Sequence, residues 1–180
     1  MFRFRLIVAL CLVAVSAFNL GAEEENPFKK AKVGDFAQYK VANQMAGMQM
    51  DLEMKSTVIK KTDTEATVEV VTKLNTQEFK SSYTVKLNEK YDPRSTGLKD
   101  VTMTETGKGE ETLNVAGKEL KTKWTSYEVS GKADNGQAIK SKGKAWVSTE
   151  VPLGGLVKSE GEMVGAGKQK MELTGFGSGQ

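Results

Sequence analysis

Met48-Gln49-Met50-Asp51-Leu52-Glu53-Met54-Lys55-Ser56-Thr57-Val58 alternates apolar and polar side chains. Met48, Met50, Leu52, Met54 and Val58 fall at even positions, with Gln49, Asp51, Glu53 and Lys55 between them. A period of two is the signature of a strand with one face turned inward, because successive side chains leave a strand on opposite sides. The same alternation runs outward in both directions. Phe36–Val41 reads as a strand before it, and Ala66, Val68, Val70 and Leu74 read as the next one after a turn at Lys60–Asp63. Phe79, Ser81, Tyr83, Val85 and Leu87 continue the pattern.

The second half is punctuated in the same way. Tyr91-Asp92-Pro93-Arg94 with Gly97 marks a longer connection, and Val101 with Met103 predicts a short strand bent at Gly107 and Gly109. Ala116-Gly117-Lys118 predicts a tight turn, followed by a strand from Leu120 to Val129. Asp134-Asn135-Gly136 is the strongest hairpin signal, since Asn-Gly reaches φ > 0 cheaply. A two-residue turn there sets Trp124 opposite Val147, whereas a loop of three or five residues pairs it with Trp146. A strand reaching Trp146 breaks at Val151-Pro152-Leu153-Gly154-Gly155 and restarts at Leu156; Gly165 and Gly167 then allow a turn before Met171, Leu173 and Phe176. No segment sustains a 3.6-residue period. The expectation is an all-β fold: one strongly curved antiparallel meander sheet, half-barrel or barrel-like, with little helix.

The N-terminus has a different character. Arg3 and Arg5 precede the apolar run Leu6–Phe18, which has the length of a secretory signal core and falls short of a membrane span. Cleavage is expected after Ala22, with Ala17 as the alternative, and Cys11 leaves with the signal. The expected organisation is a signal peptide at 1–22, a mobile charged leader at 23–32 and one β domain at 33–180. Export to the periplasm or the extracellular space follows. Residues 23–180 contain neither cysteine nor histidine, so no disulfide holds the domain. Loss of residues 1–22 with their two arginines lowers the formal charge from +3 to +1. That is too little, and too scattered, for a nucleic-acid stripe.

Several side chains invite a functional reading. Met48, Met50 and Met54 share a strand face and, with Trp124 and Trp146, are the candidate lining of an apolar pocket; Met is adaptable enough for such a wall. Thioethers also select Cu(I), a third reading that the missing His and Cys weaken; no cofactor is expected. Lys118, Lys121, Lys123, Lys140, Lys142 and Lys144 suggest an anionic partner, or a defence against strand-edge aggregation. Catalysis has little support without the usual general base or a Gly-x-Ser-x-Gly elbow.

Trp146-Val-Ser-Thr-Glu-Val-Pro-Leu-Gly-Gly-Leu-Val-Lys158, followed by Met171-Glu-Leu-Thr-Gly-Phe-Gly177, resembles the C-terminal signature of small secreted bacterial proteins of unassigned role. Glu111-Thr-Leu-Asn-Val-Ala-Gly-Lys118 and Val33-Gly34-Asp35 share the likeness. More distantly, such proteins resemble the periplasmic lipoprotein carriers of the LolA and LolB kind, whose bent sheet encloses an apolar cavity. The run of inward-facing Met, Leu and Val, taken with that resemblance, gives the leading expectation: a non-enzymatic domain that binds an apolar or amphipathic ligand, a lipid or lipoprotein, in a curved-sheet cavity. The chain departs from those carriers in having no amphipathic helices to plug the cavity. The competing expectation is an envelope structural or interaction module with a solid core and a protein partner.

Overall fold

The structure is a computed structural model that describes residues 26–45, 47–89, 99–132, 138–163 and 167–179. The expected signal segment, the Tyr91–Gly97 connection, the Asp134-Asn135-Gly136 turn and Gly165 lie outside the described residues.

Nine antiparallel strands form one sheet in the order β4-β3-β2-β1-β9-β8-β7-β6-β5. They are β1 (Phe36–Met45), β2 (Met48–Lys61), β3 (Glu65–Leu74), β4 (Gln77–Lys86), β5 (Lys99–Val115), β6 (Lys118–Lys132), β7 (Ala138–Val147), β8 (Leu156–Met163) and β9 (Gly167–Gly177). Two meanders, β1–β4 and β5–β9, are joined where the first strand pairs with the last. The row ends on β4 and β5, so the sheet is open; of the expected forms, the unclosed one is found. Curvature is nevertheless strong. The Lys118 ammonium at the β5–β6 tip lies 5.1 Å from the Phe176 ring centre on β9, although two strands stand between β6 and β9.

The predicted alternation becomes the core. Ala37, Tyr39 and Val41 on β1, Leu52 on β2, and Met171 and Leu173 on β9 are buried in one cluster with Trp146, Leu156 and Val157. A second cluster joins Val58, Ala66, Val68, Val85 and Leu87 to Phe28 and Ala31. Residues 26–32 therefore differ from the mobile leader expected of them. Asn26 accepts a hydrogen bond from Phe28 N and donates to the Lys86 and Glu89 carbonyls. Lys61 Nζ donates to the carbonyls of Lys29 and Ala31. Phe28 is 2% exposed, a burial worth roughly 1.5–3 kcal/mol.

Two other expectations are corrected or decided. Gly107 and Gly109 do not end a short strand: β5 runs through both as a 17-residue strand. A Cβ at Gly109 would lie 2.7 Å from the Trp124 ring, so this glycine seats the indole of the opposite residue. Gly143 does the same for Tyr127, and Gly177 for Phe36; each is the direct cross-strand partner of its aromatic. At the β6–β7 hairpin Trp124 pairs with Trp146, and five residues separate Lys132 from its partner Ala138.

The turns carry the chemistry expected of them. Ala116 (φ 51°) and Gly117 (φ 78°) make the two-residue β5–β6 turn, in which both central residues need φ > 0. Between β7 and β8, Leu153, Gly154 and Gly155 all have positive φ, and the corner is held by Ser148 N donating to Gly155 O. The two glycines are not equivalent. A Cβ at Gly154 would meet nothing within 4 Å, whereas one at Gly155 would lie 2.6 Å from the Ser148 carbonyl oxygen. Both valine substitutions carry a backbone penalty of about 1–3 kcal/mol, and Gly155→Val adds a clash. Thermal denaturation of the single variants should show both melting below wild type and Gly155→Val well below Gly154→Val.

Candidate functional site

A cleft of about 650 Å³ crosses β1, β9, β8, β7 and β6 near one end of these strands. Pairing builds its wall directly from sequence. Gln44 stands beside Lys168, Lys168 beside Glu162, Glu162 beside Lys142, and Lys142 beside Glu128. In the next row Ala42, Lys170, Glu160, Lys144 and Ser126 are successive neighbours. Strict alternation puts both rows on one face, and across the three inner strands each charge meets its opposite. Lys142 Nζ lies 3.4 Å from Glu162, while Lys170 and Lys158 reach Glu172 and Glu160 at 2.8 Å along their own strands. Opposite charges facing each other across strands favour this register. Because these pairs are solvated, each adds little stability. The Lys170 ammonium is pushed above its usual range by its hydrogen bond to Glu172. Along these two rows the charges nearly cancel.

Alternate positions of the same strands add a row of uncharged groups to the lining of the cleft. Asn43 (2% exposed) accepts a hydrogen bond from Gln169 Nε2 at 2.9 Å, across the β1–β9 seam. Next along the row come Gly161, Gly143 and Tyr127. Asn43 Nδ2 and the Ser159 hydroxyl are buried without a partner among the described residues. Burial pushes the Tyr127 phenol up to about 12. The Tyr39 phenol is raised further, first by burial and then by Tyr83; its hydroxyl donates to Leu156 O.

Of the residues predicted to line an apolar pocket, Trp146 belongs to the main core cluster and Trp124 and Met54 pack against it, whereas Met48 stands exposed. Met50 shares the parity of Met54 on β2. Met48 is 70% exposed and Trp146 is 4% exposed. None of the five lines the cleft. Trp124 lies on Gly109, and Lys144 Nζ lies 3.8 Å from its ring centre and 4.5 Å from that of Trp146. Lys158 sits 4.6 Å from the Trp146 ring centre, and Trp146 Nε1 donates to Glu111. These rings are occupied by their own chain. The six lysines form no single patch either: Lys121 and Lys123 alternate away from Lys118 on β6, and Lys142 and Lys144 face acids.

No family model matches the chain. No curated protein matches it. Solved structures do. A protein from Bacteroides fragilis described as exported and YmcC-like in fold is 11% identical, with a TM-score of 0.52 over 82% of this chain and 97% of that one. A protein from Parabacteroides distasonis described as a lipoprotein is 12% identical over 83% and 98%, with a TM-score of 0.49. At such identity the Bacteroides likeness is one of fold: an open all-β sheet of this architecture occurs in a known structure. Among the described residues no helix is long and apolar enough to cross a membrane.

The raised phenols give a test of the packing around this row. A folded chain that keeps Tyr127 neutral to about pH 12 binds a proton that the unfolded chain releases near pH 10. Stability is therefore fully present below pH 10 and falls as pH rises toward 12, by about 2–3 kcal/mol for this group. Phenolate absorbance should show delayed ionisation. Tyr127→Phe should flatten the alkaline loss of stability without abolishing it, because Tyr39 titrates in the same direction.

Proposed function

We propose that this chain is an exported, non-enzymatic β domain that acts through its surface, as an interaction module of the cell envelope. The observation that carries the reading is the exposed aromatic surface at one edge of the sheet. Trp124, Trp146 and Met54 are taken up in or against the main core, and the cleft is lined by a Lys/Glu ladder beside an uncharged row. On β4, in contrast, Phe79 and Tyr83 stand 40% and 42% exposed at the very edge of the sheet. A strand edge with aromatic side chains on one face is a recognised docking surface for another extended chain. Export is supported by the Arg3/Arg5 and Leu6–Phe18 pattern and by the exported description of the Bacteroides fragilis relative in fold. The absence of histidine throughout the sequence supports a non-catalytic role.

One observation favours a second reading, an amphipathic ligand. Met54, Thr72 and Phe79 are successive cross-strand neighbours, so a half-buried methionine leads to an exposed ring along one row. An acyl chain laid on that row would give the lipid-bearing domain implied by the carrier resemblance.

Three measurements on protein from the producing cell decide between them. N-terminal sequencing should begin at Glu23, or at Phe18 if the earlier site is cut; an intact signal on cytoplasmic protein overturns export. Photo-crosslinking groups at position 79 should capture protein in the envelope, whereas the same group at Lys142 in the cleft should not. Crosslinks only from Lys142 would contradict the edge as the working surface. Extraction and mass spectrometry should find no stoichiometric lipid. Bound lipid lost on Phe79→Ser would replace the module reading with the second one.

A further inference from the structure

Among the described residues the two outermost strands of the sheet are built differently. An edge strand presents unpaired N–H and C=O groups, so its side chains and regularity decide whether it accepts another strand. β5 is guarded. Its pairing with β6 slips between Lys99 and Thr102 and again between Glu105 and Gly107, and Glu105, Lys108, Glu110 and Glu111 stand along it. β4 carries Glu78, Lys80 and Lys86 but lacks the slips. It pairs with β3 without a shift from Glu65↔Lys86 to Leu74↔Gln77, and every residue from Gln77 to Thr84 is exposed.

We propose that β4 is a homodimerisation edge, on which two copies pair antiparallel about a two-fold axis at Ser81 and extend one sheet into the next. The proposal rests on the interaction-module reading and names its partner. The strand is self-complementary in this arrangement. With Ser81 opposite Ser81 of the second copy, Phe79 falls opposite Tyr83 and Tyr83 opposite Phe79, all on one face. Cross-strand aromatic pairs of this kind are favourable. On the other face Lys80 meets Ser82 and Glu78 meets Thr84, with Lys86 of the second copy diagonal to Glu78. No like charges oppose each other directly. Sliding two residues in one direction sets Lys80 opposite Lys80. Sliding two residues in the other sends Phe79 to Val85 and Tyr83 to Ser81, which separates the aromatics. The contact is isologous, so it closes at a dimer; β4 on β5 would be head-to-tail and open-ended, and the slips and charges of β5 oppose it.

Sedimentation of the mature chain across a concentration series tests the dimer, with thermal melts to confirm that each variant is folded. Wild type should show a monomer–dimer equilibrium. Phe79→Glu and Tyr83→Lys should each weaken it by roughly tenfold or more, since symmetry counts every lost pair twice. The double variant sets an acid opposite a base in both halves and should restore association. The mature chain has no cysteine of its own once Cys11 leaves with the signal. Ser81→Cys should therefore give a disulfide-linked dimer on mild oxidation, and Thr112→Cys on β5 should not. A monomer at every concentration overturns the proposal, as does crosslinking through Thr112→Cys alone or a double variant no better than the singles. Crosslinks from position 79 to other envelope proteins, with none between copies, would leave the module reading in place with a different partner.

Discussion

The pairing of β1 with β9 is the constraint on which the rest of this structure depends. Each meander alone has two open edges and half a core. Bringing Val41 opposite Met171 and Tyr39 opposite Leu173 buries both halves in one cluster. The seam is specified on both faces at once. Lys40 meets Glu172 on one, and Asn43 with Gln169 forms a buried hydrogen bond on the other. A slip of one residue would bring every one of these side chains to the wrong face. The C-terminus ties the same seam again, where Asp35 accepts a hydrogen bond from Gly179 N at 2.7 Å.

Space, more than conformation, explains several glycines. Gly109, Gly143 and Gly177 sit opposite Trp124, Tyr127 and Phe36, and each lets a ring lie flat on the neighbouring backbone. An aromatic covering a strand glycine compensates for the missing side chain and pins the register. In a single curved sheet with no α-helix packed on it among the described residues, such pairs take over part of the work that a second layer does elsewhere. The lysines over Trp124, Trp146 and Phe176 extend this cover outward with their aliphatic stems.

How much of this could be read from the sequence follows from what each signal depends on. The alternation of Met48–Val58 depends on one strand alone, and β2 forms where it predicts. The break at Val151–Gly155 depends on local backbone chemistry, and the chain turns there. Long-range pairing is another matter. Gly107 and Gly109 look like a bend until the register sets Trp124 opposite Gly109. Leader residues 26–32 look mobile by charge, but Phe28 finds a hydrophobic cluster made by β2, β3 and β4. The pocket residues are a mixed case: parity within β2 relates the three methionines, yet that Met54 meets Trp124 and Trp146 at one core cluster while Met48 stays exposed depends on pairing across the sheet. The edge position of β4 is likewise invisible until β1 is known to pair with β9.

If the β1–β9 seam makes one cooperative unit, the two meanders must unfold together. Trp124 and Trp146 report on β6 and β7 by fluorescence, and hydrogen exchange at Val58 and Val68 reports on β2 and β3. Denaturant unfolding followed by both should give coincident transitions, the mark of two-state behaviour. Met171→Ala, which empties a fully buried site on the seam, should destabilise both signals equally, by roughly 2–5 kcal/mol. Two separate transitions, with the substitution shifting the tryptophan signal and leaving Val58 and Val68 protected, would contradict the account.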